Sequence, residues 1–358
     1  MYAASGHLLF ARQCELFAQQ FDPKRLALEG AAFRIAGRVW VNQGVSLASL
    51  SASAAGAVAY GTGADIHSQF VWLDRAGNRV APWGAASNSL VAAPALSPDS
   101  RRLAFGRVVA GNWDLWLMDT RGALSRLTSD PALDFFPIWS GDGRRIIFAS
   151  TRGASTDLYS KIVDDASAEE LLFKSAQSKT PTDVSADGRF VLFTSSDPST
   201  GADIWALPLT GNRTPRPFVQ SRFDEGSGQF SPDGKWVAYQ STETGKAEVY
   251  LQPFPGPGDR TRVSTDGGQQ PRWGRRGQEL FYVAGDQWLT TVPVKTDPAG
   301  RSVIVGAASR LFRMRLETMS ILQQYIVSED GQRFLMNAPT DSAEPPSIVV
   351  ILNWKGKP

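Results

Sequence analysis

A chain of 358 residues with 37 basic and 35 acidic side chains carries a formal charge of +2, too balanced for a nucleic-acid binder driven by charge, and its single cysteine excludes a disulfide scaffold. Apolar residues make up 42% and charged residues 20%, with 19 Phe, 11 Trp and 7 Tyr, which is ample material for a large packed core. The 33 Gly and 22 Pro are spread along the whole length, as a chain that turns often requires.

The extreme N-terminus, Met1 to Phe10, lacks both a basic n-region and an apolar h-region of usable length, so no export signal is read there. The first predicted strands are His7–Arg12, Glu15–Gln20 and a stretch near Phe33 to Val39, with at best Tyr2 to Ser5 ahead of them. The uncharged run from Val39 to Ala64 is long enough to be tested as a membrane span. Its repeated serines and glycines, and its shortage of Leu, Ile and Phe, make it loop plus short strand, and no membrane span is predicted.

From Leu96 onward one pattern recurs: an apolar residue, Ser, any residue, Asp, Gly, then a strand. The clearest copies are Phe230-Ser231-Pro232-Asp233-Gly234, Trp139-Ser140-Gly141-Asp142-Gly143 and Val184-Ser185-Ala186-Asp187-Gly188. Variants are centred on Ser100, Gly277 and Gly331, and weaker ones on Gly56 and Gly6, so that eight markers follow one another at intervals of 43 to 54 residues. Asp and Gly supply the geometry of a tight hairpin, and Ser bonds the local backbone. A second landmark follows each of four markers: Asp114-Leu115-Trp116, Asp157-Leu158-Tyr159, Asp203-Ile204-Trp205 and Glu248-Val249-Tyr250 read as third strands. A short apolar strand then closes each unit, and Pro94, Pro137, Pro181 and Pro271 stand just before the apolar-Ser step.

Each unit is thus four antiparallel strands whose apolar faces only a neighbouring unit can cover, and radial repetition is the β-propeller solution. The expected fold is all-β, a propeller of four-stranded antiparallel blades. About eight blades with incomplete terminal ones use every marker, and seven is the alternative. The first unit reads as short of its first strand, and the last, with strands near Gln323–Ser328, Arg333–Met336 and Ile348–Asn353, as short of its fourth. Residues 1–358 are expected to form a single propeller domain, the distal part of a longer repeat protein.

The Ser-Pro-Asp-Gly hairpin followed by Asp-[Leu/Ile]-[Trp/Tyr] resembles the repeat of TolB-like propellers. More narrowly, Leu8–Arg12 to Phe21-Asp22-Pro23, Gly56 to Tyr60, Phe70–Arg75 and the closing Ile351-Leu352-Asn353-Trp354 resemble the C-terminal propeller region of bacterial receptor-like serine/threonine protein kinases. That resemblance implies an extracytoplasmic or periplasmic location and a kinase domain encoded upstream. The chain itself has no Gly-rich nucleotide loop, His-Arg-Asp loop or Asp-Phe-Gly triplet, so phosphoryl transfer is not carried over.

Other chemistry is equally absent from the pattern. There is no G-x-S-x-G elbow, and two isolated histidines, His7 and His67, give little scope for a triad or a zinc site, so no catalytic residue, metal or cofactor is expected. The hairpin acids Asp99, Asp142, Asp187, Asp233 and Asp330 read as turn caps, and Asp114, Asp157 and Asp203 as braces within each blade. Function on such a frame sits in loops that differ from blade to blade. The loops leading into the first strands differ most, and they nominate Asp134, Phe135, Phe136, Lys179, Arg222, Asp224, Glu225, Gln269 and Arg272 as a polar and aromatic channel mouth. The expected activity is non-catalytic recognition of a protein, peptide or glycan. The alternatives are an envelope-complex scaffold of TolB type and an accessory or lid propeller of a hydrolase or lyase.

Overall fold

The computed structural model describes residues 1–12, 15–37, 39–42, 47–62, 68–109, 111–256, 258–297, 301–314, 323–340 and 347–356. His67 lies outside them. So do residues 43–46 and 63–64 of the uncharged run, whose described part forms the short strands Val41–Asn42, Leu47–Ala48, Leu50–Ala52 and Val58–Thr62. The protein is all-β, built from antiparallel sheets, most of them four-stranded, and each of the eight markers sits in the turn between two neighbouring strands of one sheet.

The hairpin chemistry is the same at every strong copy. Ser97, Ser140, Ser185, Ser231 and Ser328 each donate a hydroxyl to the Asp two residues on, at 2.5 to 2.6 Å. The same serine oxygen accepts the backbone N–H five residues on, as in Ser231 with Trp236 at 3.0 Å. The Asp accepts the N–H two residues beyond itself, which leaves the glycine slot in the left-handed region (Gly234 φ 70°). The Ser hydroxyl, followed by the backbone donors, holds Asp142 and Asp187 below the usual carboxylate range.

The contacts divide the chain into two compact units. The first comprises Met1–Ser68, Ala86–Leu90 and Pro339–Pro358. It contains a four-stranded sheet (Tyr2–Ala3, His7–Arg12, Glu15–Asp22, Ala27–Ala36) and a three-stranded one, in the order Ser347–Ile351, Val58–Thr62, Leu50–Ala52. Leu9, Leu16 and Ala18 of the one sheet pack with Val58 and Tyr60 of the other around Trp354.

The second unit, Gln69–Ala85 and Val91–Ala338, holds six sheets. Five are consecutive in sequence. Their innermost strands are Val91–Leu96, Asp134–Trp139, Ser178–Val184, Glu225–Phe230 and Gly268–Gly274. The sixth has Tyr325–Val327 innermost, then Arg333–Pro339, and is completed by Ser68–Asp74 and Arg79–Ser87 from far earlier in the chain. Each innermost strand touches the next, and Tyr325–Val327 touches both Gly268–Gly274 and Val91–Leu96, so the six sheets close a ring. The last repeat therefore does have four strands. Its outer pair comes from the segment after the Gly56 marker, while Ser347–Ile351, expected in the last unit, pairs with Val58–Thr62 instead.

The core of the ring lies between successive sheets. Leu115, Leu117 and Leu127 of the first meet Trp139, Ile146 and Phe148 of the second, and Trp236 and Val249 of the fourth meet Leu280 and Val292 of the fifth. Phe148 and Trp236 are at most 1% exposed, and cutting either back to Ala would cost about 3–5 kcal/mol.

Candidate functional site

Five of the six innermost strands are interrupted, at one place each. The first, second, third, fourth and fifth all shift register against their neighbours, between Ala92 and Ala95, Phe135 and Ile138, Pro181 and Asp183, Gly226 and Gln229, and Gln269 and Arg272. At four of these bulges a non-glycine residue is left-handed: Ala93, Phe136, Ser227 and Gln270, with φ from 51° to 56°. In three of the four the next residue is proline, which has no N–H for the ladder and bars its predecessor from the right-handed helical region. Each such residue costs about 1–3 kcal/mol, and their recurrence around one axis marks the inner wall of the ring.

A cavity of about 510 Å³ follows that wall. It runs from the bulge residues Ala93, Phe136 and Ser227 to the hairpins at the far ends of the strands, where Pro98, Ser140, Gly141 and Ala186 line it. One slot, two residues before the repeat's serine (or before Gly274, which replaces it), supplies a cavity-lining residue from every sheet. In ring order these are Ala95, Ile138, Asp183, Gln229, Arg272 and Ile326. Three successive sheets thus give a polar arc and the other three an apolar one.

The polar arc is held firmly. Asp183 Oδ2 accepts the Phe230 N–H at 2.8 Å, and Gln229 Nε2 donates to the Thr182 carbonyl at 2.7 Å. Arg272 donates to the Pro271 carbonyl at 3.1 Å, and the Tyr325 hydroxyl donates to the Gln270 carbonyl at 2.8 Å. Trp139 and Trp273 each send their indole N–H to a carbonyl of the preceding sheet, Ala95 at 2.9 Å and Gln229 at 3.3 Å. Enclosure within the ring pushes the Asp183 carboxyl up to about 6, although the Phe230 N–H and the Arg272 charge both favour the anion. The same enclosure draws Arg272 down to about 10, against the pull of Tyr325 and Asp183. At neutral pH the arc presents one carboxylate and one guanidinium to the cavity.

The nine residues nominated from the sequence are divided by this geometry. Phe136 and Arg272 line the cavity. Phe135 stacks edge-on against Phe136 with ring centroids 5.0 Å apart, and Gln269 is half-buried at the start of its strand. Arg222 and Asp224 are exposed; Arg222 lies over Phe223, and Asp224 caps the Ala202 N–H at 3.0 Å. Asp134, Lys179 and Glu225 are buried and spent on bonds within the protein. Asp134 takes Arg152 at 2.8 Å, and Glu225 accepts the hydroxyls of Ser221 and Ser241 at 2.7 and 3.0 Å. Burial raises both carboxyls above their usual range. Lys179 Nζ meets Asp157 at 2.8 Å and the Gln177 carbonyl at 2.6 Å. The acids read as braces are buried as well, Asp114 against Arg126 at 2.7 Å and Asp203 among Thr200, Gln220 and Ser221.

The nominated residues cluster where the inner strands begin, whereas the cavity extends to where those strands end. Asp183 and Gln229 went unnamed for that reason. The signal that finds them is the aligned slot two residues before the serine, which varies between apolar, polar and charged residues from repeat to repeat and lines the cavity in every case. Among the described residues no group of three or more His, Cys, Asp or Glu is placed to hold a metal ion, and no helix is long and apolar enough to cross a membrane.

With this geometry in hand, the comparisons are specific about architecture. The sequence model of the TolB beta propeller domain matches residues 57–214. The fold is that of a TolB-like β-propeller. A TolB candidate from Agrobacterium tumefaciens superposes with a TM-score of 0.57 at 16% identity, over 76% of this chain and 99% of its own. An oligogalacturonate lyase solved with manganese gives 0.53 at 15% identity, over 82% of this chain and 84% of its own. In sequence, an uncharacterized protein of Agrobacterium fabrum is 27% identical over 202 residues, 52% of this chain and 68% of its own. One TolB-like frame thus occurs both in proteins described as TolB and in a lyase, so the frame does not choose among functions and the cavity must.

Proposed function

We propose that this TolB-like propeller is a non-catalytic recognition module that takes an extended peptide or protein segment into the cavity of its six-sheet ring. The observation that carries the reading is the divided wall: Asp183, Gln229 and Arg272 on one arc, Ile326, Ala95 and Ile138 on the other. A segment with one apolar and one polar side fits such a wall, its cation set against Asp183 and its carboxylate or carbonyl against Arg272. Among the described residues Asp183 is the single carboxylate in the lining and no histidine or cysteine joins it, which favours binding over a nucleophile–base pair of the usual kind. An extracytoplasmic location and an upstream kinase domain belong to the same reading and rest on the resemblance of the repeats.

The test is calorimetric titration of the folded protein with a panel of peptides and cell-wall fragments, repeated on Arg272→Met and Phe136→Ala. At least one peptide class is expected to bind and to weaken by about tenfold or more in Arg272→Met, the loss of one charge-assisted contact. Binding that neither substitution alters, in variants whose melting is normal, would remove the cavity from consideration. A scaffold role in an envelope complex draws on the match to the TolB propeller over residues 57–214. It predicts that outcome, with the partner held on the outside of the ring.

A further inference from the structure

Among the described residues, the three-stranded sheet of the first unit ends in Ser347–Ile351, which pairs with Val58–Thr62 on one side only. Every other outer edge strand of four or more residues carries a residue that resists further pairing: Arg34 in Ala27–Ala36, Arg79 in Arg79–Ser87, Glu170 in Glu170–Phe173, Pro217 in Arg216–Val219 and Arg310 in Ser309–Arg313. Charges and prolines on edges are how β proteins stop strands from adding to one another. Ser347–Ile351 has neither. Its outward side chains, Ile348 and Val350, are 77% and 53% exposed, and Leu352 just beyond is 70% exposed.

We infer that this edge pairs with the same edge of a second copy of the chain. A free row of backbone donors and acceptors calls for a strand, and the electrostatics decides which one. In a two-fold antiparallel pairing the residue on the axis meets its own copy and residues equidistant from it meet each other, so a charge on or near the axis is brought up to a like charge. The uncharged Ser347–Asn353 segment escapes that penalty in every register, while a charged edge escapes it only where the register keeps its charges off the axis. With the axis at Val350, Val350 faces Val350 of the second copy and Ile348 faces Leu352. The exposed aliphatics then stack in one row on one face of a continuous six-stranded sheet.

Sedimentation equilibrium of the full chain, from about 1 to about 200 µM, should show the mass rising from 38.8 kDa toward twice that value. Val350→Lys should hold the protein monomeric over the same range with unchanged melting, because the side chain is exposed and adds nothing to the monomer's core. Val350→Cys should form a disulfide-linked dimer under mild oxidation, at least about tenfold faster than Leu26→Cys, a more exposed control in the turn before Ala27–Ala36. A monomer at every concentration, even one that takes up an added strand peptide, would overturn self-pairing. So would a Val350→Lys protein that still dimerises.

Discussion

Asp183→Asn should stabilise the protein, and only above acid pH. The wild-type carboxyl is raised from an ordinary 3.8 to about 6 by burial in the ring. That difference disfavours the charged form by about 3 kcal/mol, which half-burial beside the cavity reduces to about 1–2 kcal/mol. The sign follows from linkage: a folded-state pKa above the unfolded one means that the unfolded chain gives up its proton first. Wild-type stability therefore falls as pH rises from about 4 to about 6 and is level beyond. Asn keeps a carbonyl oxygen for the Phe230 N–H, now bonded at 2.8 Å, and carries no charge to bury. At about pH 8 the variant should melt roughly 2–8 °C higher than the wild type, and at about pH 4 the two should coincide. Circular-dichroism melts of both proteins across that range measure the difference directly. The hairpin acids with lowered values, Asp99, Asp142, Asp187 and Asp330, lose stability in the opposite direction, as pH falls, but they are common to both proteins and cancel. An offset that is the same at every pH, or a variant less stable at pH 8, would refute the reasoning.

Lys179→Met should cost about 3–5 kcal/mol in urea unfolding, because the fully buried Nζ is the charge partner of Asp157 at 2.8 Å and its loss leaves a carboxylate uncompensated. A cost below about 1 kcal/mol would show that Asp157 is satisfied by other groups. Ser231→Ala should cost about 1–2 kcal/mol, since its oxygen both donates to Asp233 and accepts the Trp236 N–H. Urea unfolding of the variant measures the cost, and an unchanged midpoint would mean that the hydroxyl does not brace the turn.

What was legible in the sequence was whatever is local. Ser231, Asp233 and Gly234 make a hairpin by bonds that span five residues, so three clear copies of that pattern, with the variants and the weaker markers, located one turn in each of eight sheets. The third-strand acids were read as braces from recurrence alone, and Asp114 and Asp157 are indeed buried against Arg126 and Lys179. Pairing across the whole chain was not legible. Ser68–Asp74 and Ser347–Ile351 both read as apolar strands, and nothing within either segment says that the first joins Arg333–Pro339 while the second joins Val58–Thr62. That choice is made by ring closure, a property of all six sheets together.

The site was half legible for a related reason. Variable loops drew attention to Asp134, Lys179 and Glu225, yet a charged residue at the start of a buried strand must find a partner at once, and each of these did. Asp183 and Arg272 differ because the bulge beside each turns the strand so that the side chain lines a cavity, where one Asp183 oxygen is held by the Phe230 N–H and the charge still faces open space. Variation from repeat to repeat therefore has two meanings in a ring of this kind. Where strands begin, it records different ways of bracing the same frame; at the slot two residues before the hairpin serine, where the six sheets contribute Ala, Ile, Asp, Gln, Arg and Ile, the side chains face the cavity and no shared packing demand remains, which is the freedom the proposed recognition would use.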